Sequence, residues 1–464
     1  MARKVMGILL VLIMLVTSAV CSAEAAKRNI VENPDNPFTE TIVDLGGRTI
    51  KLASAWVDTY DYWEEKDETP TEVLKNMQIL KDIQEDYNCK IELVDMEGIE
   101  WWEQELVEQL ALAKASGDTY ADILDWQTNM NPGPVVYRDY LVAAQDIPAL
   151  NDSLGAWSPA TRSTEYGGKI YGFNAESPLG YIRSFLLYNK DYAKQYGIED
   201  MYALVKDNKW TFDKFLEVSE KVYDQSGGKV SSIVTRYGMP KALLEQFMTS
   251  NDAVPFTQKD GKLVTQINTE KGIRACQFVV DMIGKKLIDM EYINNPGDPY
   301  DYFIAGNSMF YIAQGWEIGE VGEELPSDFG ILPMPMGPDA TSYASYYDQI
   351  RIYSIVDNGD GGEAAAHVLL ALKKRQADTY LDIEDAAEPY NWLEDLAYDA
   401  SDDESLEMAD LINNSLSMNY IVLLSEVPGW EDAAAQIAGG VSTPAEAIGA
   451  ITAQLQAAVD EANK

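Results

Sequence analysis

The sequence predicts an α/β protein built from two successive units, each a mainly parallel sheet flanked by helices. Three observations point to this class. Short apolar runs alternating with period two are interleaved with stretches of helical period. Helix starts are marked by Thr-Pro and Trp-Thr signals placed just ahead of those helical stretches. The strand–helix order then begins afresh near Phe185, which implies a second unit of the same kind.

Residues 42–56 read as the first strand, with Ile50, Leu52 and Ser54 alternating with Lys51 and Ala53. A helix follows. Thr69 is placed to cap it, Pro70 takes the first helical position, and Glu72 completes a capping box. Val73, Leu74, Met77, Leu80 and Ile83 supply its apolar face. Lys90–Val94 is a second strand, 102–116 a second helix, and Ala121–Leu124 a third strand. In the downstream unit Phe185–Tyr188 is a strand, and Trp210-Thr211 opens a helix with Thr211 as cap and Asp213 in its first turn. A helix over 269–285 and strands near Met309–Ala313 and Phe329–Pro333 complete that unit. One further strand, Ile350–Val356, leads into a helix over 362–374. The last helix is specified by Thr443-Pro444-Ala445-Glu446, which repeats the capping box, with Ile448, Ile451 and Leu455 on one face.

Charge removes several functions. The 464 residues carry 35 Lys+Arg against 76 Asp+Glu, a net charge of -41. Phosphate backbones and anionic headgroups attract Lys and Arg, so neither nucleic acid nor a lipid surface suits this chain. Hydrophobic residues at 46% are ample for a buried core, which argues against disorder. The amino terminus has the layout of a secretory signal, residues 1–25: Arg3 and Lys4, then an apolar run from Val5 to Val16, then small residues. Ala23-Glu24-Ala25 fits cleavage to a free protein, and Cys21 offers lipidation as the other outcome. Cys89 and Cys276 read as small buried hydrophobes.

A set of short segments, in order, carries a resemblance. Gly168-Lys169-Ile170-Tyr171-Gly172 is followed by Leu187-Tyr188-Asn189-Lys190, then Trp210-Thr211-Phe212-Asp213-Lys214-Phe215. Phe303 through Met309 with Gly315-Trp316, Gly330-Ile331-Leu332-Pro333-Met334-Pro335, and Gly439-Gly440 before Thr443-Pro444-Ala445-Glu446 complete it. From about residue 47 to the end, the chain resembles the carbohydrate-binding type of extracellular solute-binding proteins of bacterial ABC importers. Lys214 departs from the pattern, standing where the family has an acid, and the acid-rich stretch from Asp382 to Asp410 matches none of its segments.

The resemblance implies a two-lobed, periplasmic-binding-protein-like fold of type II, with a ligand cleft between lobes. Lobe one would combine 28–180 with 348–385, and lobe two 181–347 with 386–464. Crossings would fall near Pro178–Arg183, near Tyr346–Arg351 and around 375–390. The partners implied are a sugar or oligosaccharide and the permease subunits of the importer, with the binding protein a monomer and no cofactor. Cys89 and Cys276 would then sit in different lobes, and a bridge between them would pin the hinge, so two free thiols are expected.

A pyranose presents C–H faces that stack on aromatic rings, and hydroxyls that need carboxylates, amides or guanidinium groups. Five groups in the sequence meet this need at strand ends or crossings. They are Trp56 with Asp58; Asp125, Trp126 and Gln127; Tyr181 and Arg183; Gln314, Trp316 and Glu317; and Tyr346, Asp348 and Arg351. Most aromatics in a chain with 27 Tyr and 10 Trp pack cores, and Trp210 and Trp430 are read that way. Catalysis is the rival class. The single His, His367, lies inside an apolar helix stretch with no nucleophile beside it, and no metal-ligand spacing occurs. Paired carboxylates of a glycoside hydrolase remain possible in any chain this acidic.

Overall fold

Ile50 and Leu52 are buried on a strand whose neighbours Thr49 and Lys51 are not, and this half-buried alternation seeds the first sheet. In this computed structural model the residues described are 36–60, 71–96, 105–128, 135, 139–175, 182, 184–235, 240–290, 299–315, 317–347, 349–381, 402–420, 424 and 427–463. Strands are numbered in chain order. Arg48–Ser54 (β1) pairs in parallel with Cys89–Asp95 (β2) and with Ile123–Gln127 (β3). Arg351–Ile355 (β9) closes the sheet antiparallel to β3, giving the order β9-β3-β1-β2. The second sheet contains Phe185–Asn189 (β4), Ser231–Thr235 (β5), Ser308–Ile312 (β6) and Phe329–Pro333 (β7), in the order β7-β4-β6-β5. There β6 and β5 run parallel, and β4 runs against both its neighbours.

Each sheet thus takes its antiparallel strand, β9 or β4, immediately after the chain arrives from the other unit. The two arriving segments lie side by side. Ile182 forms an antiparallel bridge with Tyr347. Ser184 Oγ accepts from the Tyr346 amide at 2.9 Å, and Ser345 Oγ donates to the Ser184 carbonyl at 2.7 Å. Ser345–Tyr347 (β8) also pairs in parallel with Leu416–Met418 (β10). Beyond it, the Ile350 amide donates to Thr128 Oγ1 at 2.9 Å, and the Thr128 amide returns a bond to the Ile350 carbonyl at 3.0 Å.

Helices Thr71–Asp86 and Glu363–Leu381 pack on one another over the first sheet, around Ile50, Leu52, Ile83, Ile123, Ile355 and Leu369. Trp157 sits between Phe38 and Phe173, with ring centroids 5.0 and 5.1 Å away. The segment from Asn36 to Leu45 is strapped across this unit. Asn36 Nδ2 donates to the Lys374 carbonyl at 2.9 Å and to Asp378 Oδ1 at 2.6 Å. Arg375 forks onto Glu40 at 3.1 and 2.9 Å and reaches Asp86 at 2.9 Å. Both carboxylates are almost fully buried.

The second unit is aromatic at its centre. Trp210, Phe215, Phe247 and Phe310 are fully buried, and Phe212 stacks on Phe278 at 4.3 Å. Thr211 caps helix Phe212–Gln225 by accepting from the Lys214 amide, and Thr269 caps Glu270–Gly284 in the same way. The Thr443–Glu446 capping box is present in full at the start of Pro444–Ala462. Gly330 lets β7 pass its neighbours, since a Cβ there would lie 2.3 Å from both Tyr188 and Tyr202. Cys89 and Cys276 are free, buried thiols in separate units, pushed by burial to pKa values of about 11 and about 12. Among the described residues, no helix is long and apolar enough to cross a membrane.

Three differences from the sequence expectation matter. β3 covers 123–127 rather than 121–124, so Asp125-Trp126-Gln127 is part of the strand instead of following it. The helix expected over 362–374 continues to Leu381. β5, β8 and β10 were not anticipated, nor was the hairpin of Phe256–Lys259 with Lys262–Thr265. The Thr69 capping signal and most of the acidic stretch, 382–401, lie outside the described residues.

Candidate functional site

Because β1 and β3 are parallel and in register at Ser54 and Asp125, both end at the same edge of the first sheet. Open α/β sheets place ligands at such carboxyl ends. Past Ser54 the chain turns sharply. The Trp56 amide donates to Ser54 Oγ at 2.9 Å, a single 3-10 turn spans Val57–Thr59, and Tyr60 returns to the core. Trp56 is left partly exposed, with Asp58 exposed beside it.

Arg351, the first residue of β9, stands opposite Gln127 and reaches across to Asp125. Its Nε and Nη2 bind the two carboxylate oxygens at 2.8 and 2.6 Å, a bidentate fork. Its guanidinium carbon also lies 4.6 Å from the centre of the Trp56 ring. Asp125 is fully buried and further accepts from Ser54 Oγ at 2.8 Å and from Tyr60 Oη at 2.9 Å. With the Tyr60 proton committed to Asp125, Tyr353 donates to Tyr60 across 3.2 Å, and Lys373 Nζ donates to Tyr353 at 2.6 Å. The bonds therefore point one way, from Lys373 through two tyrosines to Asp125.

The electrostatics follow from this arrangement. Burial alone would raise the Asp125 pKa, but Arg351, Lys373 and the Ser54 hydroxyl outweigh it and hold the carboxyl below the usual aspartate value. Burial likewise works against the Arg351 charge, and Asp125 overrides it, so the guanidinium is held firmly protonated. Tyr60 is raised well above an ordinary phenol, first by burial and then by the Asp125 charge. A carboxylate held deprotonated and filled by these donors is poorly suited to give a proton to a leaving group.

Of the residues nominated from sequence, Trp56, Asp125, Gln127 and Arg351 come together here. Trp126 does not join them. It is fully buried, and its indole N–H donates to Ser354 Oγ at 3.0 Å, so it packs the sheet core. Tyr346 is also buried, in β8 between the crossing segments. Gln314 and Glu317 follow β6 in the second sheet. Glu317 is fully buried and accepts from Tyr311 Oη at 2.8 Å and from the Gln314 amide at 2.7 Å. Tyr181, Arg183, Trp316 and Asp348 lie outside the described residues.

Sequence reasoning missed Tyr60, Tyr353 and Lys373. Tyr353 had a usable signal, since it is two residues from Arg351 and strand side chains at that spacing share a face. Lys373 begins a basic triplet, Lys373-Lys374-Arg375, directly after the apolar run Val368–Leu372 of its helix, and such a charge needs a buried partner.

Residues 78–372, more than half of the chain, match the profile of the family described as bacterial extracellular solute-binding protein. The chain belongs to that family. No curated protein matches the sequence. Solved structures of solute-binding proteins share the two-lobed architecture. One is the cyclic alpha-maltosyl-1,6-maltose binding protein from Arthrobacter globiformis, at 16% identity and TM-score 0.61, over 90% of this chain and 100% of that one. Maltose-bound MalE3 of T. maritima is 18% identical with TM-score 0.56, over 88% and 99% of the two chains. UgpB from Mycobacterium tuberculosis, in complex with glycerophosphocholine, is 15% identical with TM-score 0.57, over 89% and 98%. As an extracellular solute-binding protein, this chain belongs to a family whose members are exported and bind solutes.

Proposed function

We propose that this solute-binding protein captures a sugar or oligosaccharide between its lobes and delivers it to the permease of an ABC importer. The observation that carries the reading is the partly exposed Trp56 ring, fixed at the ends of β1 and β3 in a family built to hold solutes. Asp58 is exposed next to it as a hydroxyl acceptor, and Gln127 lies opposite Arg351. Two of the similar structures are named for, or bound to, maltose-type saccharides, which supports the substrate class.

Lobe one comprises 28–180 with 348–385, and lobe two 181–347 with 386–464, on this reading. The paired crossings at Ile182–Ser184 and Ser345–Tyr347 are the hinge about which closure occurs. The ligand-facing set is Trp56, Asp58, Gln127, Tyr181, Arg183, Gln314, Trp316 and Asp348, with Asp125, Arg351, Glu317 and Tyr346 behind it. The protein acts as a monomer, either held at the outer face of the cell membrane through lipidated Cys21 or released after cleavage at Ala25.

Calorimetry of the mature protein against linear and cyclic maltooligosaccharides, other disaccharides and glycerophosphocholine tests the proposal. Saccharide binding is the expected result, and its complete absence overturns the sugar assignment. Binding of glycerophosphocholine alone would move the protein to a second reading, a binder of another polar solute, which the likeness to UgpB supports. Steady glycoside turnover would instead make it an enzyme. Trp316→Ala should weaken binding with little change in melting temperature; an equal loss of both returns that ring to the core.

A further inference from the structure

Arg351 differs from the other polar residues at the site in what it spends its contacts on. Its Nε and Nη2 are taken by Asp125, with Nη2 also 3.4 Å from Tyr60 Oη, and its guanidinium carbon sits over Trp56 at 4.6 Å. Only 17% of its side chain is accessible. Its backbone is fixed as well: the carbonyl accepts from Asn174 Nδ2 at 2.6 Å, and the preceding Ile350 is bound in both directions to Thr128. Asn174 precedes the first crossing and Arg351 follows the second, so this residue joins both connecting segments to the Trp56 turn.

We propose that Arg351 is a positioning residue: it sets the tilt of the Trp56 ring through a cation–π contact locked by Asp125, and it does not itself bind ligand. The inference rests on the saccharide reading only for its affinity test. A guanidinium forked on a buried carboxylate has a fixed plane, and an aromatic ring over that plane inherits the orientation. Preorganising a ring in this way removes an ordering cost from binding. Lysine at the same position would keep the charge but lose the fork and the flat stacking surface. The Ser54 Oγ bond to the Trp56 amide fixes the backbone of the turn, and the Arg351 contact acts on the ring itself.

The test uses the mature protein and the variants Trp56→Ala, Arg351→Met and Arg351→Lys. Because Arg351→Met leaves Asp125 buried without its forked counter-charge, the pair Asp125→Asn with Arg351→Met is made in parallel. In the ligand-free state, the near-ultraviolet circular dichroism of Trp56 is isolated by subtracting the matching Trp56→Phe spectrum. That signal should fall several-fold in Arg351→Met and in the double variant, and remain reduced in Arg351→Lys. With maltotetraose as probe, or whichever panel saccharide binds wild type, Arg351→Met should lose about tenfold in affinity. The same change in a Trp56→Ala background should lose less than twofold.

An unchanged Trp56 signal in the folded double variant overturns the proposal. So does a full tenfold loss in the Trp56→Ala background, which would make Arg351 a ligand contact in its own right. If wild type binds no saccharide, the proposed function fails, while the ligand-free Trp56 signal still decides the role of Arg351.

Discussion

The ends of the two central sheets are built from different chemistry. At the first, charge is concentrated: Asp125, Arg351 and Lys373 are joined through Ser54, Tyr60 and Tyr353 beneath a partly exposed tryptophan. At the second, among the described residues, the buried carboxylate of Glu317 accepts from a hydroxyl and an amide, and large buried aromatic rings such as Trp210 and Phe310 pack on one another within the same unit. Lobe one should therefore be sensitive to charge and pH, and lobe two to lost volume. The contrast gives the first sheet a polar platform and the second a dense apolar support.

The largest expected effect comes from unbalancing the platform. Asp125→Ala leaves the Arg351 guanidinium largely buried without its partner and should cost about 3–5 kcal/mol in urea unfolding. Glu317→Gln, which removes charge but keeps an acceptor, should cost about 1–3 kcal/mol. Equal losses from the two would erase the distinction between the sheets. For volume the order reverses: Trp210→Ala should cost about 3–5 kcal/mol, and Trp56→Ala, being partly exposed, far less, while Trp56→Ala alone should impair ligand binding.

The pH dependence sharpens the same comparison. Asp125 has a folded-state pKa below the ordinary 3.8, so its stabilisation is fully present above that value and is lost as pH falls through the folded pKa. Melting curves from pH 6 down to pH 2.5 should show the gap between wild type and the Asp125→Asn, Arg351→Met pair narrowing below about pH 4. A constant gap would mean that Asp125 titrates alike in the folded and unfolded states. The smallest effect belongs to a helix end far from the platform. Thr443→Ala breaks the capping box and should cost about 1 kcal/mol with no change in ligand affinity.

These residues also show how far a sequence can be read. Strands with apolar alternation, such as Arg48–Ser54, or a short apolar run, such as Phe329–Pro333, were legible, and so were caps whose chemistry is local, at Thr211 and Thr443. β5 was not, because Ser231, Ser232 and Thr235 look like a loop until neighbouring strands bury them. At the candidate site, Trp56, Asp125 and Arg351 could be nominated from the sequence because aromatic and charged residues near strand ends invite a ligand reading. Their division of labour was hidden. Whether Asp125 meets a sugar or an arginine depends on where β3 stops, and a shift of three residues decided it. The Trp126 side chain was misplaced for the same reason, since extending the strand turns it into the core.

The strap from Asn36 to Leu45 has a mechanical consequence. Tension applied through the residues before Asn36 first reaches helix Glu363–Leu381, at the Lys374 carbonyl and Asp378, and next the buried fork of Arg375 on Glu40. Both fastenings belong to the unit that carries Trp56, on a helix packed against Thr71–Asp86. Under the proposed anchoring, a pull from the envelope would thus load one lobe's scaffold first. On that proposal, a tethered molecule would be held by the lobe that carries Trp56.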